Sequence, residues 1–304
     1  MISIQNKNAS KLIEGDCLQI MPTLKTESFD LVIADPPYWK VVGEKWDYQW
    51  RTEDDYITWC KKWFSEVYRL LRYGGTFYLF GYFRMLSLLV PNLLELGFDL
   101  RQQIILNKGI KAVAGRATKN YKMFPNVTES ILFLTKKNII YSRQLLKEKQ
   151  RLAGLTAKQI NEALGVKSNG GGMWSIYTGD NICEQFPTAE LWSKLQTILS
   201  FDMPYTKIAQ TYNAEMGITD VWDDIDFYSE KRYHPTQKPI KLLKRLINAS
   251  SNEGDLILDP FGGCASTFIA SEMLGRKAVV IELNPEYVNK SKERIMEFNA
   301  KLPF

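Results

Sequence analysis

Two apolar runs, far apart in the chain, each end on an Asp-Pro step, and together they restrict the folds available. Residues 28–34 (Ser-Phe-Asp-Leu-Val-Ile-Ala) lead into Asp35-Pro36-Pro37-Tyr38, and Leu256–Leu258 lead into Asp259-Pro260-Phe261-Gly262-Gly263. A short, nearly continuous apolar run is the pattern of a strand buried on both faces. The neighbouring stretches carry a helical period. From Asp54 to Leu71 apolar and aromatic residues recur at helical spacing, Asp54 and Asp55 favour the helix start, and Gly74-Gly75 end the unit before a strand at Thr76–Phe80. A helix is predicted over Arg84–Leu96, interrupted near Pro91 and closed by Gly97, with further strands at Ile104–Leu106 and Ser130–Thr135. From Pro239 the rhythm resumes: helix to about Ser250, strand, glycine turn, helix to Leu274 with Gly275 as stop, strand Ala278–Ile281, and a last helix from Pro285. Strands alternating with helices predict an α/β fold, a doubly wound and mostly parallel sheet covered on both faces.

Residues 138–230 break this rhythm. Apolar strands disappear, and short helical stretches alternate with glycine and polar turns such as Ser168–Gly172. The expected organisation is one α/β domain from residues 1–137 and 231–304, with 138–230 inserted as a smaller, mainly helical lobe. A chain of 304 residues, 45% hydrophobic and 24% charged, is large enough for that arrangement. The four scattered cysteines and single histidine support neither a zinc site nor a disulfide framework. The first residues lack a basic-then-apolar signal pattern, and no apolar run approaches the roughly 20 residues needed to span a bilayer. A cytoplasmic, membrane-free protein is expected.

The C-terminal Asp-Pro segment reads as a strand–turn–helix unit. Glycine lets the backbone approach a ligand, and a helix N-terminus presents free N–H groups. The strand Ala278–Ile281 ends at Glu282, an acid roughly 20 residues after the turn that suits a bidentate grip on ribose hydroxyls. Gly-x-Gly-x-x-Gly is absent, which disfavours a dinucleotide. S-adenosylmethionine has no pyrophosphate, so a looser turn suffices for it.

The N-terminal segment reads differently. Its two prolines fix φ and remove two backbone donors, so the carbonyls there can only accept. An exocyclic NH2 on a flat base has two protons to donate, one to the Asp35 carboxylate and one to the Pro36 carbonyl, while Tyr38 offers a face for stacking. Such a pocket orients a nitrogen lone pair towards an electrophilic methyl, and positioning would supply much of the barrier reduction. A plain proline turn beside a glycine turn is the simpler alternative; the two segments together favour the chemical reading.

These residues resemble the amino-methyltransferases of DNA, specifically the permuted β-group, in which the catalytic motif precedes the cofactor motif. Gly15-Asp16-Cys17 resembles the family's N-terminal start, which implies Asp16 and Cys17 beside the cofactor adenine. His234-Pro235-Thr236-Gln237-Lys238-Pro239 resembles the segment before the cofactor strand, which implies His234, Thr236 and Lys238 near the methionine end. Asp259, Phe261, Gly263, Ala265, Ser266 and Glu282 complete the implied cofactor set, and Asp35, Pro36, Pro37 and Tyr38 the catalytic one. Thr128–Phe133, after Ile105–Lys108, resembles the segment lining the target-base pocket. The family's turn usually reads Phe-x-Gly-Ser-Gly-Thr-Thr; here Cys264 replaces the serine and Ala265 a glycine. The resemblance implies a permuted methyltransferase fold with S-adenosylmethionine as cofactor and methylation of adenine N6 in duplex DNA. Cytosine N4 is the alternative acceptor; Asp35 favours adenine. A homodimer and a separately acting restriction endonuclease are compatible partners.

The target base would have to be flipped out of the duplex. Lys108, Lys111, Arg116, Lys119 and Lys122, in an acid-free stretch between two strands, are the expected phosphate contacts. The lobe is the expected sequence reader, with residues 155–166 resembling the first helix and turn of a helix-turn-helix and Trp174, Tyr177, Trp192 and Tyr205 read as a small core.

Overall fold

A computed structural model describes residues 3–5, 10–39, 48–113, 124–166, 172–180, 182–234 and 236–300, with residues 3–5, 110 and 113 described by backbone alone. Among the described residues nine strands form one sheet: β1 (Ser3–Gln5), β2 (Lys11–Glu14), β3 (Phe29–Ala34), β4 (Leu71–Gly81), β5 (Phe98–Asn107), β6 (Thr128–Lys136), β7 (Val221–Trp222), β8 (Leu256–Asp259) and β9 (Lys277–Glu282). Their spatial order is β1-β2-β9-β8-β3-β4-β6-β5-β7. The run from β2 to β4 is parallel throughout, β6 is reversed between β4 and β5, β1 is antiparallel to β2, and β7 is parallel to β5. The mostly parallel, doubly wound expectation holds.

Alternation along the strands sorts side chains to two faces. Val32, Ala34, Phe77, Leu79, Leu258, Val279 and Ile281 face α1 (Cys17–Ile20), α2 (Glu53–Leu70) and α3 (Phe83–Glu95). Leu31, Ile33, Tyr78, Phe80 and Ile257 face α8 (Ile240–Ser250), while Leu12, Ala278 and Val280 face α9 (Ser266–Met273) and α10 (Pro285–Asn299). Helix α2 starts on a capping box: the Thr52 hydroxyl accepts from Asp55 N–H at 3.1 Å, and the Asp55 carboxylate accepts from Thr52 N–H at 3.0 Å. It buries Tyr56, Cys60, Trp63, Phe64, Val67 and Leu70, one face at helical spacing.

Two local expectations change. Strand β4 begins at Leu71 and runs through Gly74-Gly75, which do not end the preceding unit. Its register against β3 jumps between Phe29↔Leu71 and Leu31↔Thr76, and the bulge so formed holds the glycines. Gly74 sits at φ +74, and a Cβ there would lie 2.3 Å from the Ile208 carbonyl oxygen. Pro91 lies inside an unbroken α3.

The inserted lobe is built from α4 (Asn138–Ala153), α5 (Ala157–Ala163), α6 (Gly172–Tyr177) and α7 (Ala189–Leu199), with its own core of Leu146, Ile160, Leu164, Trp174, Tyr177, Trp192, Leu195, Leu199 and Ile208. Tyr205 packs against this core, so the lobe aromatics are structural. The lobe ends earlier than residue 230. Asn213 N–H donates to the Ala249 carbonyl at 2.7 Å, β7 pairs with β5, and Ile225 and Phe227 join the main core. Residues 210–230 therefore return to the α/β domain. Eight residues separate α5 from α6, longer than a helix-turn-helix turn, and 168–171 of the glycine turn lie outside the described residues. Both ends of the lobe anchor at the start of β4, through Tyr73–Tyr141 ring contact at 5.3 Å and Ile208 against Gly74. Among the described residues no helix is long and apolar enough to cross a membrane, and no cluster of acidic, histidine and cysteine side chains could hold a metal.

Candidate active site

Because β3 and β8 are parallel neighbours, paired at Leu31↔Ile257 and Val32↔Leu258, the loops after them open on the same side. They border a cavity of about 380 Å³ at the carboxyl ends of the strands, where ligands bind in open α/β sheets. The cavity is lined by all four of Asp35, Pro36, Pro37 and Tyr38, and by Asp16, Cys17, His234, Thr236, Lys238, Asp259, Phe261, Gly263, Ser266 and Glu282.

On one side, Asp259 shapes the turn. Its Oδ1 accepts Phe261 N–H at 2.9 Å and its Oδ2 accepts the Thr267 hydroxyl at 2.5 Å. Burial, with Asp35 and Glu282 nearby, pushes its carboxyl up to about 7 despite those two donors. Gly262 N–H donates to the Ile281 carbonyl at 2.8 Å and lets the turn lie on β9; a Cβ there would be 2.2 Å from Val280 Cγ1. Glu282 receives Gly263 N–H on Oε2 and Asn284 N–H on Oε1, both at 2.7 Å. Burial raises its carboxyl, and the backbone donors oppose that. Each oxygen keeps a second lone pair for a ligand hydroxyl. Asp16 caps α1 by accepting Leu18 N–H at 2.9 Å, and burial pushes the adjacent Cys17 thiol up to about 12, so it stays neutral. His234 Nδ1 accepts Thr236 N–H at 3.1 Å, which leaves the ring proton on Nε2. Burial, then Lys238 and Lys290, hold its conjugate acid down to about 4.

Ala265 departs from expectation. It is fully buried among Phe268, Val280 and Val288, does not line the cavity, and stands in the left-handed region at φ 62. An L-residue there carries about 1–2 kcal/mol of strain that the glycine of the resembling turn would not.

On the other side, five polar side chains converge. The Asp35 carboxylate receives the Tyr38 hydroxyl at 2.5 Å on Oδ1 and Lys238 Nζ at 2.7 Å on Oδ2. Glu129, 1% exposed, takes the Tyr38 hydroxyl at 2.6 Å and Lys238 Nζ at 3.0 Å on Oε1, and Lys108 Nζ at 2.5 Å on Oε2. Burial pushes Asp35 up, Lys238 works against that, and Glu129 adds to it. Burial alone would raise Glu129, yet Lys238 and Lys108 hold it down to about 2. Burial would lower Lys238, but the two carboxylates carry it above the usual lysine range. The Tyr56 hydroxyl donates to the Pro37 carbonyl at 3.0 Å and fixes the loop, and Tyr82 meets the Tyr38 ring edge-on at 5.3 Å.

Lys238 lines the cavity with its Nζ on Asp35 and Glu129. One expectation is corrected here. Lys108, expected on DNA phosphate, is engaged by Glu129 and lies 5.1 Å from the Phe227 ring centre. Lys111 is exposed in a 3-10 turn, and Arg116, Lys119 and Lys122 lie outside the described residues, as does Pro235. In the lobe, Arg143 pairs with Glu184 at 2.5 Å and Lys147 with Asp180 at 2.8 Å. Glu129 entered the sequence reading only as part of Thr128–Phe133, the segment resembling the lining of the target-base pocket, with no role of its own. The signal was present as one acid just before the apolar stretch Ile131–Leu134, since a buried carboxylate needs partners.

A family model described as DNA methylase, of N6 and N4 type, matches residues 29–293. The DNA adenine methyltransferase YhdJ of Escherichia coli is 28% identical over 298 residues, covering 94% of this chain and 83% of that protein. Among solved structures, TTHA0409 of Thermus thermophilus, named a putative DNA modification methylase and complexed with S-adenosyl-L-methionine, has a TM-score of 0.56 at 21% identity, covering 96% of this chain and 95% of the other. The cytosine-N4-specific PvuII DNA methyltransferase has a TM-score of 0.54 at 17% identity, covering 95% and 91%. The shared fold therefore extends to an enzyme of the other acceptor class.

Proposed function

The chain belongs to the DNA methylase family, and from that premise we propose that it transfers methyl from S-adenosylmethionine to the exocyclic N6 of an adenine in double-stranded DNA. The observation that carries the reading is the meeting of Asp35–Tyr38 and Glu282 on one cavity. S-adenosylmethionine supplies an electrophilic methyl group. The residues fit it: Glu282 has two oxygens with lone pairs to spare for ribose hydroxyls, Asp16 stands beside a neutral Cys17, and His234 is an uncharged donor through Nε2. Asp35 accepts one amine proton and the Pro36 carbonyl the other, which turns the nitrogen lone pair towards the methyl. After transfer the nitrogen sheds one proton, for which Asp35 is the acceptor. Adenine over cytosine is supported by Asp35 ahead of Pro36-Pro37-Tyr38 and by the similarity to an adenine methyltransferase. The fold itself does not discriminate.

The finer partners belong to the same reading. Residues 138–209 and Lys111 are candidate DNA contacts; a homodimer, a separately acting restriction endonuclease and a cytoplasmic site of action are consistent with it. The test is modified-base sequencing of DNA from cells expressing the chain, with nucleoside analysis of the digest. N6-methyladenine at a fixed site is expected. N4-methylcytosine would move the assignment to the other acceptor, and unmodified DNA would refute it.

A further inference from the structure

Beside Tyr38 on its own loop, Asp35 is surrounded by Glu129, Lys108 and Lys238 from segments distant in sequence, and their arrangement is not that of a passive hydrogen-bond pocket. Tyr38 has one phenolic proton and two carboxylate oxygens within 2.6 Å, Asp35 Oδ1 and Glu129 Oε1. One phenolic proton cannot be donated fully to both at once, so the two carboxylates compete for it. Lys238, 8% exposed, lies within 3.0 Å of both carboxylates, and Lys108 neutralises the far oxygen of Glu129. With both carboxylates ionised and both lysines charged, the cluster is neutral. With Lys238 removed, two buried carboxylates would face one another across a tyrosine hydroxyl, and one would have to take up a proton.

We propose that Lys238 and Glu129 are positioning residues that set the charge of Asp35 from opposite sides, Lys238 holding its carboxylate ionised to receive the target amine and Glu129 anchoring Lys238 while opposing that ionisation. The proposal rests on the reading of Asp35 as acceptor of the amine, since a protonated Asp35 presents an O–H donor on one oxygen and cannot take the proton the product nitrogen sheds. The groups facing Asp35 are Tyr38 on its own loop, Glu129 on β6, Lys238 before α8, Lys108 after β5 by way of Glu129, and Asp259 at the end of β8. The two partners act in opposite directions on it, so removing each should move it in opposite directions, which a merely structural role would not do.

The experiment is the pH dependence of single-turnover methylation of duplex DNA, with S-adenosylmethionine affinity measured by calorimetry, for the wild type, Lys238→Met, Lys238→Arg and Glu129→Gln. In Lys238→Met the acid limb should move up by about one pH unit or more, a tenfold or greater loss on that limb with recovery at high pH. In Glu129→Gln it should move down, and Lys238→Arg should stay close to the wild type. Cofactor affinity should hold within about threefold, as Glu282 is held by Gly263 and Asn284 and not by these groups. Parallel losses at every pH, or limbs moving the same way, overturn the proposal. If Lys238→Met fails to fold, the downward movement in Glu129→Gln decides alone. If the wild type proves to methylate nothing, the functional reading falls separately, and carbon-13 titration of the Asp35 carboxyl in the same proteins still reads the opposed shifts directly.

Discussion

Substituting Glu282 by glutamine tests the cofactor side with a magnitude that follows from its hydrogen bonds. The carboxylate serves two masters: Gly263 N–H on one oxygen and Asn284 N–H on the other, each at 2.7 Å. Glutamine keeps one acceptor oxygen and replaces the other with an NH2, so one backbone N–H loses its partner and faces a donor. Leaving that part-buried donor unsatisfied costs about 1–3 kcal/mol of stability. The same exchange removes the acceptor for one ribose hydroxyl, a hydrogen bond to a charged group of about 1.5–3 kcal/mol, which at 1.36 kcal/mol per decade weakens cofactor binding about 10- to 150-fold. Calorimetry of S-adenosylmethionine against wild type and Glu282→Gln measures the second quantity, and denaturant unfolding of the cofactor-free proteins measures the first. A dissociation constant within about threefold of the wild type would refute the ribose assignment. A normal unfolding midpoint with lost binding would refute only the claim that the two N–H groups depend on both oxygens.

Three further outcomes are expected. Asp35→Ala should lower methylation by at least about 10²–10³-fold, the scale of losing one preorganised transition-state contact, while cofactor affinity and folding survive because Lys238 keeps Glu129 at 3.0 Å; retained turnover would remove Asp35 from the chemistry. Gly262→Ala should destabilise the chain by about 1–3 kcal/mol through overpacking, since its Cβ would meet Val280 Cγ1 at 2.2 Å beside the Ile281 carbonyl; an unchanged unfolding midpoint would show that the turn lifts freely from β9. Asp259, pushed up from 3.8 to about 7 in the fold, binds a proton that the unfolded chain has already released between those values. Its contribution to stability is therefore full below pH 3.8 and lost as pH rises through 7. Relative to Asp259→Asn, the cofactor-free wild type should lose stability across that interval, and parallel stability curves would contradict the assignment.

The parts of the fold written in local pattern were legible in the sequence. β3, β8 and β9 are short apolar runs, α2 has a cap and a period, and the glycine turn with Glu282 is a contiguous strand–turn–helix–strand unit. What escaped depends on distant partners. β7 is two residues long and exists because β5 offers an edge to pair with. The early start of β4 depends on a bulge whose Gly74 admits the Ile208–Ala209 backbone, and nothing in Arg72–Gly75 announces that neighbour. The direction of Lys238 followed from two carboxylates, one on β3's loop and one on β6. Glu129 looked like one more polar residue until Tyr38, Lys108 and Lys238 closed on it.

The lobe raises a question of direction that the motifs alone did not pose. Asp35 follows the carboxyl end of β3, and Leu71 pairs with Phe29 at its amino end, so the lobe's anchors at Tyr73 and Gly74 lie at the end of the sheet opposite the cavity. The reversed strand β6 explains this: it carries Glu129 at the cavity end and delivers the chain to α4 at the far end. Lys111, after the carboxyl end of β5, is on the cavity side, whereas exposed Arg151 lies at the end of α4. DNA presenting a flipped adenine to Asp35 should therefore press on Lys111 before it reaches Arg151. Lys111→Glu is expected to weaken duplex binding across all sequences and to reduce the slope of log affinity against log salt by about 1. Arg151→Glu should leave both nearly unchanged. Fluorescence anisotropy over a salt series reads both. The reverse ranking would mean that DNA wraps around the sheet and is gripped first by the lobe.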